Sequence, residues 1–311
     1  MKLKLFFSLI FLNTFLIKAI EIPFNNFYQL NSQLYNPAFA GREGKTSISA
    51  LGNYQYTGFE DRTVYFGSNS YLSRPKYACF QLGATSQFKL IDKNNLGIGF
   101  TNLYFTNVLI NINHFKMSAN WQYKIQDKFI SFGLGLSNYQ NKLKIEGYKK
   151  TFFNQPNFIN GSDKNISNFN YDLGVAFNNP KNNFFVGFSI LDIHKNNDLA
   201  FGNPEIYVES NPYPKYVLNT GIDINLNSKM KFKPSVLALR ETINYLLLTT
   251  NFEYQNKYLF GTGYTTNNDG VFLNLGYKHK KLELNYAYSL VLSRILSVTS
   301  GNHNIGIRYQ L

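Results

Sequence analysis

The stretch Phe169-Asn170-Tyr171-Asp172-Leu173-Gly174-Val175-Ala176-Phe177 alternates without a break. Phe169, Tyr171, Leu173, Val175 and Phe177 share one face, while Asn170, Asp172, Gly174 and Ala176 take the other. Successive side chains of a strand point to opposite sides, so a period of two marks a strand between two different environments. The pattern returns at 216–226, where Tyr216, Leu218, Ile222, Ile224 and Leu226 oppose Asn219, Gly221, Asp223 and Asn225. At 282–290, Leu282, Leu284, Tyr286, Tyr288 and Leu290 oppose Glu283, Asn285, Ala287 and Ser289. The chain closes in the same way, with Ile305, Ile307, Tyr309 and Leu311 against Asn304, Gly306, Arg308 and Gln310.

Alternation alone also fits a soluble β-sandwich with one wet face. Three features favour a membrane barrel instead. The runs are about ten residues long, the length of a tilted bilayer crossing. Their polar face is rich in Gly, Ser and Asn, which suits a packed or wet lumen. The last strand ends on an apolar residue, as the C-terminal signal of outer-membrane proteins does. Beyond the N-terminus nothing approaches the roughly 18 apolar residues of a transmembrane helix. Only helices and closed barrels satisfy every backbone N–H and C=O in hydrocarbon. The expected fold is therefore all-β, a transmembrane antiparallel up-and-down β-barrel of about 14 strands.

Strands are expected over 46–57, 62–72, 78–88, 96–106, 110–124, 128–140, 168–178 and 183–193. The series continues at 215–226, 230–241, 244–255, 257–266, 271–278, 280–290 and 303–311. Their number is odd, whereas a bacterial barrel with both ends on one side needs an even number, so either one N-terminal candidate is surplus or one strand is missing, with 46–72 the doubtful region. Several connections are tight and polar: Gln126-Asp127, Asn227-Ser228, Asn256, and His279 with Lys280. Three are long: 141–167, 194–214 and 291–302. Periplasmic turns are short and external loops long, and strand parity puts all three long connections on one side. Paired asparagines such as Asn94-Asn95 and Asn178-Asn179 punctuate strands, because Asn accepts turn conformations.

The first residues read differently. Lys2 and Lys4 precede an apolar run from Leu5 to Leu16, and Ala19 comes next. That layout predicts a secretory signal peptide over 1–19. Residues 20–45 are then expected to form a periplasmic lead, with the barrel over 46–311. Aromatic residues make up 17% of the chain and charged residues only 16%, below the roughly 25% of soluble domains. The net charge is +13. An exported chain does not meet nucleic acid, so outer-membrane lipid headgroups are the expected counterpart of that charge.

Signals for catalysis are thin, and neither enzyme activity nor a cofactor or metal is expected. His114, His194, His279 and His303 lack the spacing of a metal site. Gly97-x-Gly99, Gly133-x-Gly135 and Gly261-x-Gly263 lie inside alternating strands without a following helix, so they read as small inward-facing residues rather than nucleotide loops. Cys79 is the single cysteine, which excludes an intrachain disulfide and a cysteine-rich zinc site.

The most distinctive segment is Gln33-Leu34-Tyr35-Asn36-Pro37-Ala38-Phe39-Ala40-Gly41. It resembles the opening of the PorP/SprF family of type IX secretion system outer-membrane proteins of Bacteroidota. That family shows an Asn-Pro-Ala-aromatic-Ala-Gly signature after a short lead. Pro214-Lys215-Tyr216-Val217-Leu218-Asn219, Lys231-Phe232-Lys233-Pro234-Ser235 and the closing segment from Tyr286 to Ile305 are similar to later parts of the family. The chain departs from the family's Tyr-Arg-x-Gln-Trp-like stretch, with Asn53 and Tyr56 in place of the Arg and Trp.

The resemblance implies a non-enzymatic component of the secretion and gliding apparatus, with periplasmic ring proteins and a secreted adhesin or other cargo as partners. Pro37 fixes φ and Gly41 permits a sharp turn. Asn36, Pro37, Ala38, Phe39, Ala40 and Gly41 are thus either a docking element for a partner or a simple bend before the first strand. The alternative function is a general diffusion porin or small-solute channel, which requires an open polar lumen.

Overall fold

The computed structural model describes residues 26–55, 57, 63–66, 69–72, 77–90, 93–106, 110–144, 164–194, 199–200, 207–208, 214–240, 244–266, 270–292 and 299–311. The predicted signal peptide lies outside them, as do the middle of the 141–167 connection and most of 194–214.

The chain forms a closed antiparallel barrel of 14 strands. In order they are β1 (Ser47–Gln55), β2 (Tyr77–Lys89), β3 (Asn94–Thr106), β4 (Ile110–Ile125), β5 (Lys128–Leu143), β6 (Lys164–Asn179) and β7 (Phe184–Leu191). There follow β8 (Lys215–Gly221, resumed at Ile224–Asn225), β9 (Met230–Arg240), β10 (Asn244–Tyr254), β11 (Tyr258–Thr265), β12 (Gly270–His279), β13 (Leu282–Val291) and β14 (Asn302–Gln310). Each strand pairs with the next, and β1 closes on β14 in a register running from Ser47↔Gln310 to Tyr54↔His303. Closure removes the free edges that hydrocarbon does not tolerate.

The surplus strand is the stretch 62–72, which is not in the barrel wall. Thr63–Phe66 and Asn69–Leu72 pair with each other in a separate two-stranded sheet within the β1–β2 connection. Four residues per strand are too few to cross a bilayer, which needs about nine to eleven. Elsewhere the expected strands match the observed ones to within a few residues at each end.

Strands that run alternately up and down place successive connections at opposite ends. One end gathers the tight turns between β2 and β3, β4 and β5, β6 and β7, β8 and β9, β10 and β11, and β12 and β13, together with residue 46 and the end of β14. The other gathers the long connections between β1 and β2, β5 and β6, β7 and β8, and β13 and β14, with the shorter ones between β3 and β4, β9 and β10, and β11 and β12. The tight turns carry left-handed residues, among them Gln126, Asn183, Gln255, Asn256 and Lys280. Positive φ matches the twist of two-residue hairpins.

The wall is apolar outside, and inside it many buried polar residues share the lumen with an apolar cluster that includes Leu51, Leu103, Val217, Leu237 and Phe272. On β4, Phe115, Met117, Trp121 and Tyr123 are exposed, while His114, Lys116, Ser118, Asn120 and Gln122 between them are buried. On β6, Phe169, Tyr171, Leu173 and Val175 face outward and Asn170 and Asp172 are buried. Phe169 is 75% exposed and Leu273 69%. Such an apolar belt is stable only against lipid.

Candidate functional site: the filled lumen

Burial of the inward residues poses a question, since the lumen of an empty barrel would leave them wet. Residues 26–45, expected as a periplasmic lead, supply the answer. They run inside the barrel rather than beneath it. The lead folds as two 3₁₀ turns, Tyr28–Leu34 and Pro37–Phe39. Asn36 caps the second, its side-chain oxygen accepting from the Ala38 N–H at 2.9 Å, and Pro37 takes the first helical position, where no donor is needed. Gly41 then turns the chain at φ +68°.

The lead is bonded around most of the wall. Asn26 Nδ2 donates to Ser289 Oγ on β13 at 2.9 Å, and Gln29 Nε2 donates to Ser235 Oγ on β9 at 2.6 Å. Gln33 Nε2 donates to the carbonyls of Ala84 on β2 (2.9 Å) and Phe100 on β3 (3.1 Å). Asn36 Nδ2 reaches the carbonyls of Val175 on β6 and Phe188 on β7, each at 3.3 Å. The wall answers the lead's own carbonyls. Lys116 Nζ donates to Leu34 O, Asn120 Nδ2 to Ala40 O, and Ser189 Oγ to Tyr35 O, at 2.9, 2.9 and 2.6 Å. Buried backbone groups demand partners, and the polar inward faces of β4 and β7 provide them.

Glycines make the room. A Cβ at Gly97 would collide with Ala40 and Gly41, one at Gly133 with Pro37 and Ala38, and one at Gly174 with Asn36. At Gly187 it would lie 2.6 Å from both Asn36 Nδ2 and Phe39 Cζ. The wall is therefore notched where the Asn-Pro-Ala-Phe-Ala-Gly segment sits. Gly97, Gly99 and Gly133 do face the lumen, as small inward residues should. What sequence alone did not disclose is that the signature and these glycines are the two halves of one contact. All six signature residues are buried. Phe39 meets Phe185 of the wall edge-on at 5.5 Å between centroids, and the Arg42 guanidinium lies over the Phe185 ring at 4.1 Å.

Two charged groups of residues flank this contact. Towards the long-loop end, Lys116 Nζ lies 2.6 Å from Asp172 Oδ2, with the two side chains 1% and 2% exposed. Asp172 also accepts from the Asp192 N–H at 2.8 Å. Asp192 in turn pairs with Lys215 at 3.1 Å and accepts from the Tyr139 hydroxyl at 3.1 Å. His114 stacks on Tyr139 at 3.9 Å. Sequence reasoning passed over this knot, although Lys116 in the lumen-facing register of an alternating strand was the signal available.

Towards the short-turn end, Arg308 of β14 bridges Glu43 of the lead and Glu283 of β13, both at 2.6 Å. Gln310 Nε2 adds a bond to Glu43 at 3.0 Å. Burial would raise the Glu43 carboxyl, but Arg308 and Arg42 hold it below its ordinary value of 4.5. Glu253 gathers Lys278, Lys233 and Lys231 at 2.5, 3.3 and 3.7 Å. Between the lead and β9–β14 a cavity of about 90 Å³ remains, lined by Arg42, Glu43, Thr249, Asn274, Lys278 and Arg308 among others.

The described residues bring no three His, Cys, Asp or Glu together in a way that holds a metal ion. His303 Nδ1 sits 2.8 Å from the Tyr286 hydroxyl. Cys79 is buried and faces the lumen beside Gln81.

A closed strand meander, an apolar outer belt and a polar lumen define an outer-membrane β-barrel, in this case one that carries its own N-terminal plug. The chain belongs to the type IX secretion system membrane protein PorP/SprF family, whose sequence profile matches residues 17–309. No curated protein matches it. Among solved structures it resembles the toluene transporter TodX of P. putida, with a TM-score of 0.53 at 12% identity over 90% of this chain and 94% of that one. It is also similar to Omp33 of Acinetobacter baumannii, at a TM-score of 0.49 and 8% identity over 86% and 99%. The translocator domain of the autotransporter NalP from Neisseria meningitidis gives 0.44 at 12% over 92% and 96%. At 12% identity the likeness to TodX concerns fold alone.

Proposed function

We propose that the protein is a plugged, non-enzymatic outer-membrane barrel of the type IX secretion and gliding machinery that supports secretion or surface anchoring of a cargo such as an adhesin. The filled lumen is the observation that carries this reading. A diffusion porin needs a continuous aqueous path, whereas in this barrel the lead as a whole, residues 26–41, crosses the lumen and hydrogen-bonds to strands on opposite walls, β13 through Asn26 and β6 through Asn36. The notched glycines and the buried Lys116–Asp172 pair are built around the plug, so closure belongs to the folded state of the barrel.

Export through a signal peptide over 1–19 and residence in the outer membrane of a Bacteroidota cell accompany this reading. The short turns and both ends of the barrel then face the periplasm and its ring proteins, and the long connections face cargo. With the signature buried in the lumen, it is an internal lock, and docking falls to the rims.

Affinity purification of the tagged full-length protein from outer membranes, with mass spectrometry of the proteins that co-purify, tests the proposal. Recovery of type IX ring proteins or a large surface adhesin is expected. A clean barrel that conducts ions and brings no partner would return the assignment to the porin. Deleting 150–165 is expected to leave barrel assembly intact and reduce cargo display; normal display in that variant would defeat the assignment of this loop to cargo.

A further inference from the structure

Lysine is distributed around this barrel in a way that neither folding nor the plug uses. Every turn at the short-turn end carries an exposed one: Lys93, Lys181, Lys229, Lys257 and Lys281, with Lys124 and Lys128 flanking the turn at 126–127. Lys89 and Lys45 add to the ring. None of these makes an ion pair among the described residues, in contrast to Lys231, Lys233 and Lys278, which converge on Glu253. Of the acids described at this end, Asp127 is exposed and Glu43 is already held by Arg308. A ring of like charge with few counter-charges repels itself and is costly to keep.

Its direction separates the two anionic surfaces that meet such a rim. Lys89 and Lys124 lie within strands, in the lumen-facing register. The lipid-facing register at the same height holds Phe88, Tyr123 and Ile125, all exposed. Lysines that served lipid headgroups would take the outer register and snorkel beside the aromatic residues. These instead crown the mouth of the barrel. Lys128 alone takes the outer register within its strand, where its ammonium lies 6.0 Å from the Phe177 ring centre.

We propose that the short-turn rim is a docking ring for an acidic face of a periplasmic protein that lies across the plugged mouth. The inference rests on the proposed orientation of the barrel, with its short turns in the periplasm. Charge complementarity of this kind steers encounter and fixes orientation, and the plug beneath gives the partner a closed floor rather than an open pore. Glu43, Arg42 and Arg308 lie just inside the ring, so the partner also covers the plug's attachment.

The test places a photo-crosslinking residue at Lys257, and separately at the lipid-facing Leu273, in the full-length protein in intact cells. The Lys257 position is expected to yield a protein adduct whose cross-linked segment is rich in Asp and Glu, and Leu273 is not. Reversing the ring as K93E/K124E/K229E/K281E is expected to cut the adduct by about tenfold or more, while the same positions changed to Arg keep it. Heat-modifiable migration confirms that each variant is a folded barrel. Adducts to phospholipid alone, a protein contact lacking acidic residues, or an undiminished yield in the Glu variant would overturn the proposal. Cargo display is scored on the same cells. An acidic, charge-dependent adduct without any secretion phenotype would sustain the ring and sink the secretory reading, and lipid-only adducts with cargo lost on gene deletion would do the reverse.

Discussion

Lys116 is a charge in the wall of a membrane barrel with almost no solvent access, and three groups account for it. Asp172 supplies the counter-charge, Leu34 of the plug accepts a second hydrogen bond, and neighbouring strands bury the pair. Breaking a buried pair by removing one partner costs about 3–5 kcal/mol, because the other charge is stranded, whereas an apolar replacement of both is far milder. K116A is therefore expected to lower the urea midpoint in detergent strongly, read from the fluorescence of the single tryptophan, Trp121. K116M/D172L is expected to recover most of the loss. Equal loss in both variants would show that the pair is not what holds this region. Gly133 makes the complementary point. G133V drives a side chain into Pro37 and Ala38 and is expected to displace the plug without unfolding the wall, read as new protease sensitivity within 26–45. The glycine was visible in the sequence as a small inward residue. Its partner was not, because a contact between residues so far apart in the chain leaves no local period to read.

At the scale of elements, the plug is a short irregular segment held by many modest bonds and one ionic latch. The latch has a pH sign. Glu43 is held below its ordinary value of 4.5, so its contribution is fully present above that value and is lost as pH falls through the lower, folded value. The plug is expected to stay seated from pH 7 to 5 and to loosen only as pH falls below the ordinary glutamate range. Disulfide trapping between cysteines introduced at Leu30 and Gly306, where a side chain at 306 would meet that of residue 30, measures seating. E43Q is expected to lack the acid transition; a transition retained in E43Q would assign it elsewhere. Strands were legible because two environments impose strict alternation, as along Phe169–Phe177. The path of the lead is not legible in the sequence, because 3₁₀ turns bonded to a wall have no such period and the signature reads the same whether it bends beneath the barrel or inside it. The surplus strand at 62–72 failed for a related reason, since Thr63–Phe66 and Asn69–Leu72 have strand composition but not crossing length.

At the scale of the whole molecule, an even strand count, loops sorted to one end and an inverted polarity all come from placing one chain in hydrocarbon. Family membership adds the secretion machinery, and the plug decides what kind of barrel serves it. A barrel whose lumen is filled by its own lead offers surfaces rather than a path. Conductance in planar lipid bilayers tests that claim most directly, comparing the intact barrel protein with a variant lacking 26–43. The plugged protein is expected to stay silent or nearly so under voltage at neutral pH, and the deletion variant is expected to open stable steps. Large, steady steps from the intact protein, equal to those of the deletion, would contradict a closed barrel and, with it, a role built on surfaces instead of a pore.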